Sequence, residues 1–415
     1  MSSSEWKLLP LEDCMEAIID YRGKTPNKSS FGIPLITAKI VKGGRILEPT
    51  EFIPYEDYDE RMQRGIPKAG DIVITTEAPL GEVGQLDDRK LSVGQRLITL
   101  RGKNELLDNT YLKYLMMSEF VQNQLLARAT GTTVSGIKQS ELRKIDLLVP
   151  PLPTQHNIAN ILSALDDKIE LNRQNNISLE AITQTIFKEW FIDFNYPDAT
   201  GQMVESELGM IPLGWRLAAF EDELEAERGL SYKGAGLESG NATPMHNLNS
   251  VYEGGGYKFE GIKYYSGEFK ERHVVRPGDL IVTNTEQGHK YLLIGYPAIV
   301  PSTFGDIGIY SHHIYRVRPK SHSYLTADFV YQLLLQPDIR EQVVGFANGT
   351  TVNMLKIEGL EKPRFILPPR ELVSKFSEIA MSSRLRHEEN KDQSTTLIAL
   401  RDALLPKLMS REIEV

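Results

Sequence analysis

Cysteine is almost missing. Cys14 is the only thiol in 415 residues, so no intrachain disulfide can form and no CxxC pair exists from which to build a zinc site. A reducing cytoplasm is the expected setting. No run of about eighteen apolar residues occurs, and the opening MSSSEWKLLPLEDC has neither the cationic nor the apolar segment of an export signal, so no membrane partner is expected. Catalytic signatures are equally scarce. Gly23-Lys24-Thr25 resembles the tail of a phosphate-binding loop, but its first glycine would fall on Ile18. No HExxH is present, and adjacent His312 and His313 would point to opposite faces of a strand. A GxSxG elbow fails because Thr133 stands where glycine is needed, and Phe304-Gly-Asp-Ile-Gly308 lacks the βαβ context of a cofactor loop. There is no Asn/Asp-Pro-Pro-Tyr/Phe tetrapeptide to hold a base for methylation, and no convincing metal-dependent nuclease pair. These gaps favour a binding scaffold over an enzyme.

What is present is a soluble globular composition, 41% hydrophobic and 25% charged, over a length that suggests two or three domains. The net charge of −9 is unevenly spread. Residues 1–150 and 215–369 are close to neutral, at −1 and −2, whereas 151–214 carry 3 basic and 9 acidic residues. Within the first region, residues 21–47 hold Arg22, Lys24, Lys28, Lys39, Lys42 and Arg45 with no carboxylate, among Gly23, Gly32, Gly43 and Gly44. The run suits an anion-binding surface of side chains and loop amides; it equally suits a solvated cationic face.

The chain also duplicates. Trp6-Lys7-Leu8 answers Trp215-Arg216-Leu217, Pro34-Leu35 answers Pro244-Met245, and Gly70-Asp71-Ile72-Val73 answers Gly278-Asp279-Leu280-Ile281. From about residue 112 the offset is a constant 218: Gly131-Thr132-Thr133-Val134 falls on Gly349-Thr350-Thr351-Val352, Lys138 on Lys356, Pro150-Pro151 on Pro368-Pro369, and Asn172 on Asn390. So long a period excludes a solenoid and implies two copies of a lobe-plus-helix module.

Each lobe mixes short β-branched runs with Gly/Pro punctuation and one amphipathic helix, near 109–127 and 326–344. After each Pro-Pro comes a long stretch of helical pattern, 154–196 and 370–405. Ile158, Leu162, Leu165, Ile169, Leu179 and Ile186, with Asn172 and Asn176 among them, form a heptad seam. Phe376, Leu397 and Leu404 keep parts of it in the second copy, where Ser383, His387, Asn390 and Ser394 make the middle polar. Such a seam can pack on its own lobe; the matching lengths favour the two helices packing on each other, each about 55 Å long at 1.5 Å per residue.

The expected fold is therefore α+β, with two related lobes joined by a pair of long antiparallel coiled-coil helices in a pseudo-twofold internal repeat. The expected boundaries are 1–150 for the first lobe, 151–196 for the central helix, 197–214 for a linker, 215–369 for the second lobe and 370–415 for the C-terminal helix.

The repeated Gly-Thr-Thr-Val, the run Pro150-Pro-Leu-Pro-Thr-Gln155, and Ile161-Leu-Ser-Ala-Leu-Asp-Asp-Lys-Ile-Glu-Leu-Asn172 leading to Phe187-Lys-Glu-Trp-Phe-Ile-Asp193 closely resemble the specificity subunit of type I restriction-modification systems. The resemblance covers nearly the whole chain. The second copy departs from it, with Pro368-Pro369-Arg370-Glu371 in place of Pro-Pro-Leu-Pro and no glutamine.

The resemblance implies two target-recognition domains, each reading one half of an asymmetric bipartite site in double-stranded DNA. It implies that the helix pair docks two modification (methyltransferase) subunits, which restriction (translocase/nuclease) subunits join. S-adenosylmethionine, ATP and Mg²⁺ are then expected on those partners and no cofactor or metal on this chain. A stand-alone two-headed DNA-binding regulator is the alternative. Candidate DNA contacts are Arg22, Lys24, Lys28, Lys39, Lys42, Arg45, Thr132, Thr133 and Lys138 in the first lobe. In the second they are Lys233, His246, Asn247, Thr350, Thr351 and Lys356. A loop kept in both copies cannot easily encode two different half-sites, so Gly-Thr-Thr-Val suits a phosphate contact or a fold constraint better than base reading.

Overall fold

The computed structural model describes residues 6–131, 135–240, 242–287, 290–349 and 352–415. The chain forms two compact units, one made of the residues up to Leu171 together with Ser394–Val415, the other of Asn172–Gln393. The division falls inside both long helices and not at the 150/151 and 369/370 boundaries read from the sequence. Each long helix starts packed in one unit and ends packed in the other.

In the first unit an antiparallel sheet, four-stranded among the described residues, has the order Met15–Asp20, Leu97–Gly102, Ile72–Thr76, Leu80–Gln85. Ile72, Ile74, Ile98 and Leu100 face a core completed by Tyr111, Leu112 and Leu115 from the helix Asn109–Met117. Asp108 caps that helix by accepting the Tyr111 amide at 2.8 Å. The strand Lys7–Pro10 pairs with Asp146–Val149, tying the beginning of the lobe to its end.

The second unit repeats this order with Leu224–Arg228, Ile314–Pro319, Leu280–Thr283 and Pro297–Ile299, and ties Arg216–Ala219 to Arg364–Leu367. Its helix Ala327–Leu334 is capped by Thr326, which accepts the Phe329 amide. The repeated Gly-Asp has one purpose in both lobes. Gly70 and Gly278 turn at φ +84° and +90°, and Asp71 and Asp279 each receive a bidentate arginine, Arg101 or Arg318, and a backbone amide three residues upstream.

Three sequence expectations change. The single helix expected near 109–127 is two, Asn109–Met117 and Glu119–Arg128, broken where Ser118 is extended (φ −67°, ψ 149°). In the second copy the break comes at Gln336, which its following Pro337 holds extended (ψ 136°). The stretch 197–214, read as a linker, contains a hairpin of Met203–Ser206 and Gly209–Pro212 whose Ile211 enters the second unit's core.

The helix Leu152–Phe187 continues as a π-helical turn over Lys188–Ile192, and the C-terminal helix is Arg370–Met409. Their segments pair antiparallel within each unit. In the first, Ile158 and Leu162 share a core with Leu408 and Met409, with Leu404 against it. In the second, Phe187 and Phe191 meet Phe376 and Phe329 with ring centroids 5.0–5.4 Å apart. Leu165, Leu179 and Leu397 are half-buried, Ile169 is buried and Ile186 packs against the second core. The ends of the seam thus pack on lobes as well as on the partner helix. Its polar middle is hydrogen-bonded: Asn172 Nδ2 donates to the Asn390 carbonyl and to Gln393 Oε1, and Asn390 Nδ2 donates to Asn176 Oδ1 at 2.8 Å. Directional bonds of this kind hold a helix pair in one register.

Candidate nucleic-acid interface

In the first lobe a cleft of about 350 Å³ opens between the end of the first core strand, the turn Gly94–Leu97 and the loop leading to Ile137. Arg22, Arg96 and Lys138 line it with Glu77, Gln95 and Thr130. The fold therefore brings together two sequence candidates, Arg22 and Lys138, that lie far apart in the chain. Arg22 donates to the Ile137 carbonyl at 2.8 Å, and Arg96 pairs with Glu77 at 3.0 Å with both side chains about half exposed. Lys138 is exposed and begins a short helix, Gln139–Leu142.

The rest of the 21–47 run does not form one surface. Lys28 is paired with Glu51 at 2.9 Å and Arg45 with Glu170 at 3.3 Å, and the Gly43 amide is taken by the Glu82 carboxylate at 2.8 Å. Carboxylates absent from the run arrive from elsewhere in the chain. Lys24, Lys39 and Lys42 are exposed. Arg61 and Arg64, outside the run, donate to the carbonyls of Lys24 and Arg22 and hold this loop in place.

In the second lobe two candidates are corrected. His246 is 1% exposed, its Nδ1 lies 2.8 Å from the Tyr257 hydroxyl, and burial pushes its pKa down to about 3. A neutral ring sealed in the core does not reach DNA. Asn247, 4% exposed, accepts the Asn249 amide and donates to the carbonyls of Met245 and Gly261, so it pins a turn. Sequence reading took both for contacts because a polar pair after a strand looks the same whether its partners are backbone or ligand. Lys233 and Lys356 are exposed, and Lys356 begins the short helix Ile357–Leu360 as Lys138 does in the first lobe. Thr132, Thr133, Thr350 and Thr351 lie outside the described residues. His312 and His313 are not on opposite strand faces: they occupy a turn, with ring centroids 3.9 Å apart.

The loops carrying Lys138 and Lys356 are clipped to their lobes identically. The Ile137 amide donates to the Thr76 carbonyl at 3.0 Å, and the Leu355 amide to the Asn284 carbonyl at 2.8 Å. Gly136 bridges Glu77 and Thr130, as Met354 pairs with Thr285 and Asn348. The helix start of the Pro-Pro motif is also built into its lobe. Gln155 is fully buried, accepting the Asp108 amide and donating to the carbonyls of Leu106 and Pro150 at 2.7–2.9 Å. At the equivalent position of the second copy Val373, also fully buried, makes an apolar contact instead.

Residues 3–181 match the model of the type I restriction modification DNA specificity domain. Across 99% of this chain and 94% of the relative, the sequence is 26% identical to the specificity subunit of the type I restriction enzyme MjaIX of Methanocaldococcus jannaschii. Over nearly its whole length the chain is similar to a specificity subunit of a type I restriction-modification system. A second relative, the HindI specificity subunit of Haemophilus influenzae, is 24% identical over 70% of this chain and 74% of its own length. The crystal structure of a type I restriction-modification S subunit from M. genitalium shares the fold, with a TM-score of 0.62 at 15% identity over 98% of this chain and 97% of that one. A specificity subunit is the DNA-recognition component of its system and not the catalytic one.

The cleft residues missed by sequence reading are Glu77, Gln95 and Arg96. A signal for them existed: Gly94-Gln95-Arg96 separates two β-branched runs and marks a turn. Only the fold shows that this turn meets Arg22 and Lys138. Among the described residues no helix is long and apolar enough to cross a membrane, and no three His, Cys, Asp or Glu side chains are grouped to hold a metal.

Proposed function

We propose that this specificity subunit selects an asymmetric bipartite site in double-stranded DNA, one half per lobe. In the same reading it docks two methyltransferase subunits and, in the restricting complex, translocase/nuclease subunits. S-adenosylmethionine, ATP and Mg²⁺ belong to those partners. The exposed cations Lys24, Lys39, Lys42, Lys138, Lys233 and Lys356 supply phosphate contacts that position a lobe without choosing sequence.

One observation supports this most directly. The two lobes hold equivalent loops by the same backbone hydrogen bonds but surround them with different side chains. Around the shared Lys138 and Lys356, Arg22, Glu77 and Arg96 in the first lobe correspond in strand register to Leu230, Thr285 and His313 in the second. A shared frame with unlike side chains is what recognition of two unlike half-sites requires.

The test is to express the full chain with methyltransferase subunits of a type I system from the same genome and to map methylated adenine across the host genome. A motif in two separated halves is expected. Replacing the first lobe, residues 1–149, by that of another specificity subunit is expected to change one half only. A change in both halves, or a contiguous motif, would overturn the reading.

A further inference from the structure

Both lobes carry a tight turn at the same point of the sheet. The Leu97 amide donates to the Gly94 carbonyl, and the Ile314 amide to the Ser311 carbonyl at 3.0 Å. In each case a carbonyl of the turn then receives the amide that ends a core strand: Thr76 donates to Arg96 and Asn284 to His313, at 2.9 and 3.0 Å. The central residues are Gln95-Arg96 in one lobe and His312-His313 in the other. Each second residue meets the residue that follows the strand end, Arg96 pairing with Glu77 and His313 Nδ1 lying 3.0 Å from Thr285 Oγ1.

The hydrogen bonds fix the proton on His313. Thr285 has one hydroxyl hydrogen, donated to Asn284 Oδ1 at 2.7 Å, while Asn284 Nδ2 donates to the His312 carbonyl and so orients the amide. Thr285 Oγ1 can then only accept from His313, which places the proton on Nδ1 and leaves Nε2 as an acceptor. Burial, followed by the charges of His312, Arg228 and Lys263, lowers the pKa of His313 and keeps the ring neutral.

We propose that these two turns are base-reading elements of opposite polarity. Arg96 donates to the O6 and N7 of a guanine, and His313 Nε2 accepts from the exocyclic amino group of an adenine or cytosine. Glu77 holds the guanidinium in the first turn and Thr285 the imidazole in the second. In the major groove guanine presents two acceptors, and the amino groups of adenine and cytosine are its donors, so the two turns call for different bases. This assignment rests on the bipartite reading above.

The test uses the full chain with its methyltransferase subunits and duplexes carrying the mapped motif. R96Q is expected to relax one base pair of one half-site by roughly tenfold to a hundredfold, and H313A one base pair of the other half by a similar factor. With wild type, 7-deazaguanine at the first position, and purine or 2-pyrimidinone in place of adenine or cytosine at the second, are expected to weaken binding as the variants do. They should add nothing on top of R96Q and H313A respectively. Hydrogen exchange at the Thr76 and Asn284 amides, which are bonded to the turn carbonyls, reports whether R96Q and H313A keep the turn folded; protection as in wild type is expected. If wild type writes a bipartite motif and R96Q and H313A leave both halves unchanged, or either alters the other lobe's half, this assignment is wrong and the bipartite reading stands. If wild type writes no bipartite motif, the bipartite reading itself fails.

Discussion

Asp166 gives the sharpest test of how the first unit is held together. It lies on the helix Leu152–Phe187, with its side chain only 8% exposed. One carboxylate oxygen accepts from Lys113 Nζ and Tyr114 Oη, both at 2.7 Å, and the other from Arg401 on the C-terminal helix at 2.8 Å. Lobe helix, central helix and C-terminal helix therefore converge on one group. Burial by itself would raise its pKa; the charge of Lys113 and the hydrogen bonds from Lys113, Arg401 and Tyr114 outweigh that and hold it below the usual carboxylate range. Asp166→Ala leaves the Lys113 ammonium, 9% exposed, buried without this carboxylate, while Arg401 keeps Asp402. Removing one partner of a buried pair costs about 3–5 kcal/mol. At roughly 2–4 °C per kcal/mol for a unit of this size, the first unit is expected to melt about 10 °C lower. Calorimetry of the full chain reads that shift, and hydrogen exchange over Asn109–Met117 assigns it to the first unit. Because the folded pKa is lowered, the contribution is complete above the unfolded value, near 4, and is lost as pH falls through the folded one. The gap between wild type and Asp166→Asn should accordingly close on acidification below about pH 4. A melting shift under about 2 °C, set against the range above, would refute the reasoning.

Three further outcomes are expected. Gln155→Ala strips three buried backbone groups of their partner and should cost about 3 kcal/mol in urea unfolding; a loss under about 1 kcal/mol would mean the helix start is held by other contacts. His246, neutral and buried with a pKa of about 3, makes the second unit lose stability as pH falls from about 6.5, the unfolded value, towards the folded one, at up to about 1.4 kcal/mol per pH unit. His246→Gln should flatten that slope, and equal slopes for variant and wild type would contradict it. Lys138→Ala should lower the slope of log affinity against log salt by about 0.9 in the assembled complex and weaken all sequences alike. A change of base preference would instead make Lys138 a reader.

Much of this protein was legible in the residue order. Repetition is a property of sequence, so the two copies, their α+β character and the long helices after each Pro-Pro followed from offsets and periodicity alone. The resemblance carried by Pro150–Gln155 and the run into Asn172 pointed to the family. Those features are local or periodic, and local chemistry enforces them: Asp108 and Thr326 cap helices at positions 218 apart because each copy must begin its helix there.

The tertiary structure alone decided which charges are available. Lys28, Arg45 and the Gly43 amide looked free because their carboxylates, Glu51, Glu170 and Glu82, come from beyond the basic run. His246 and Asn247 looked like contacts until burial sealed them, and Arg96 went unnoticed until the fold set it beside Arg22 and Lys138. The physical reason is range: a hydrogen bond or ion pair acts over about 3 Å, and chain order does not record which distant residues come that close.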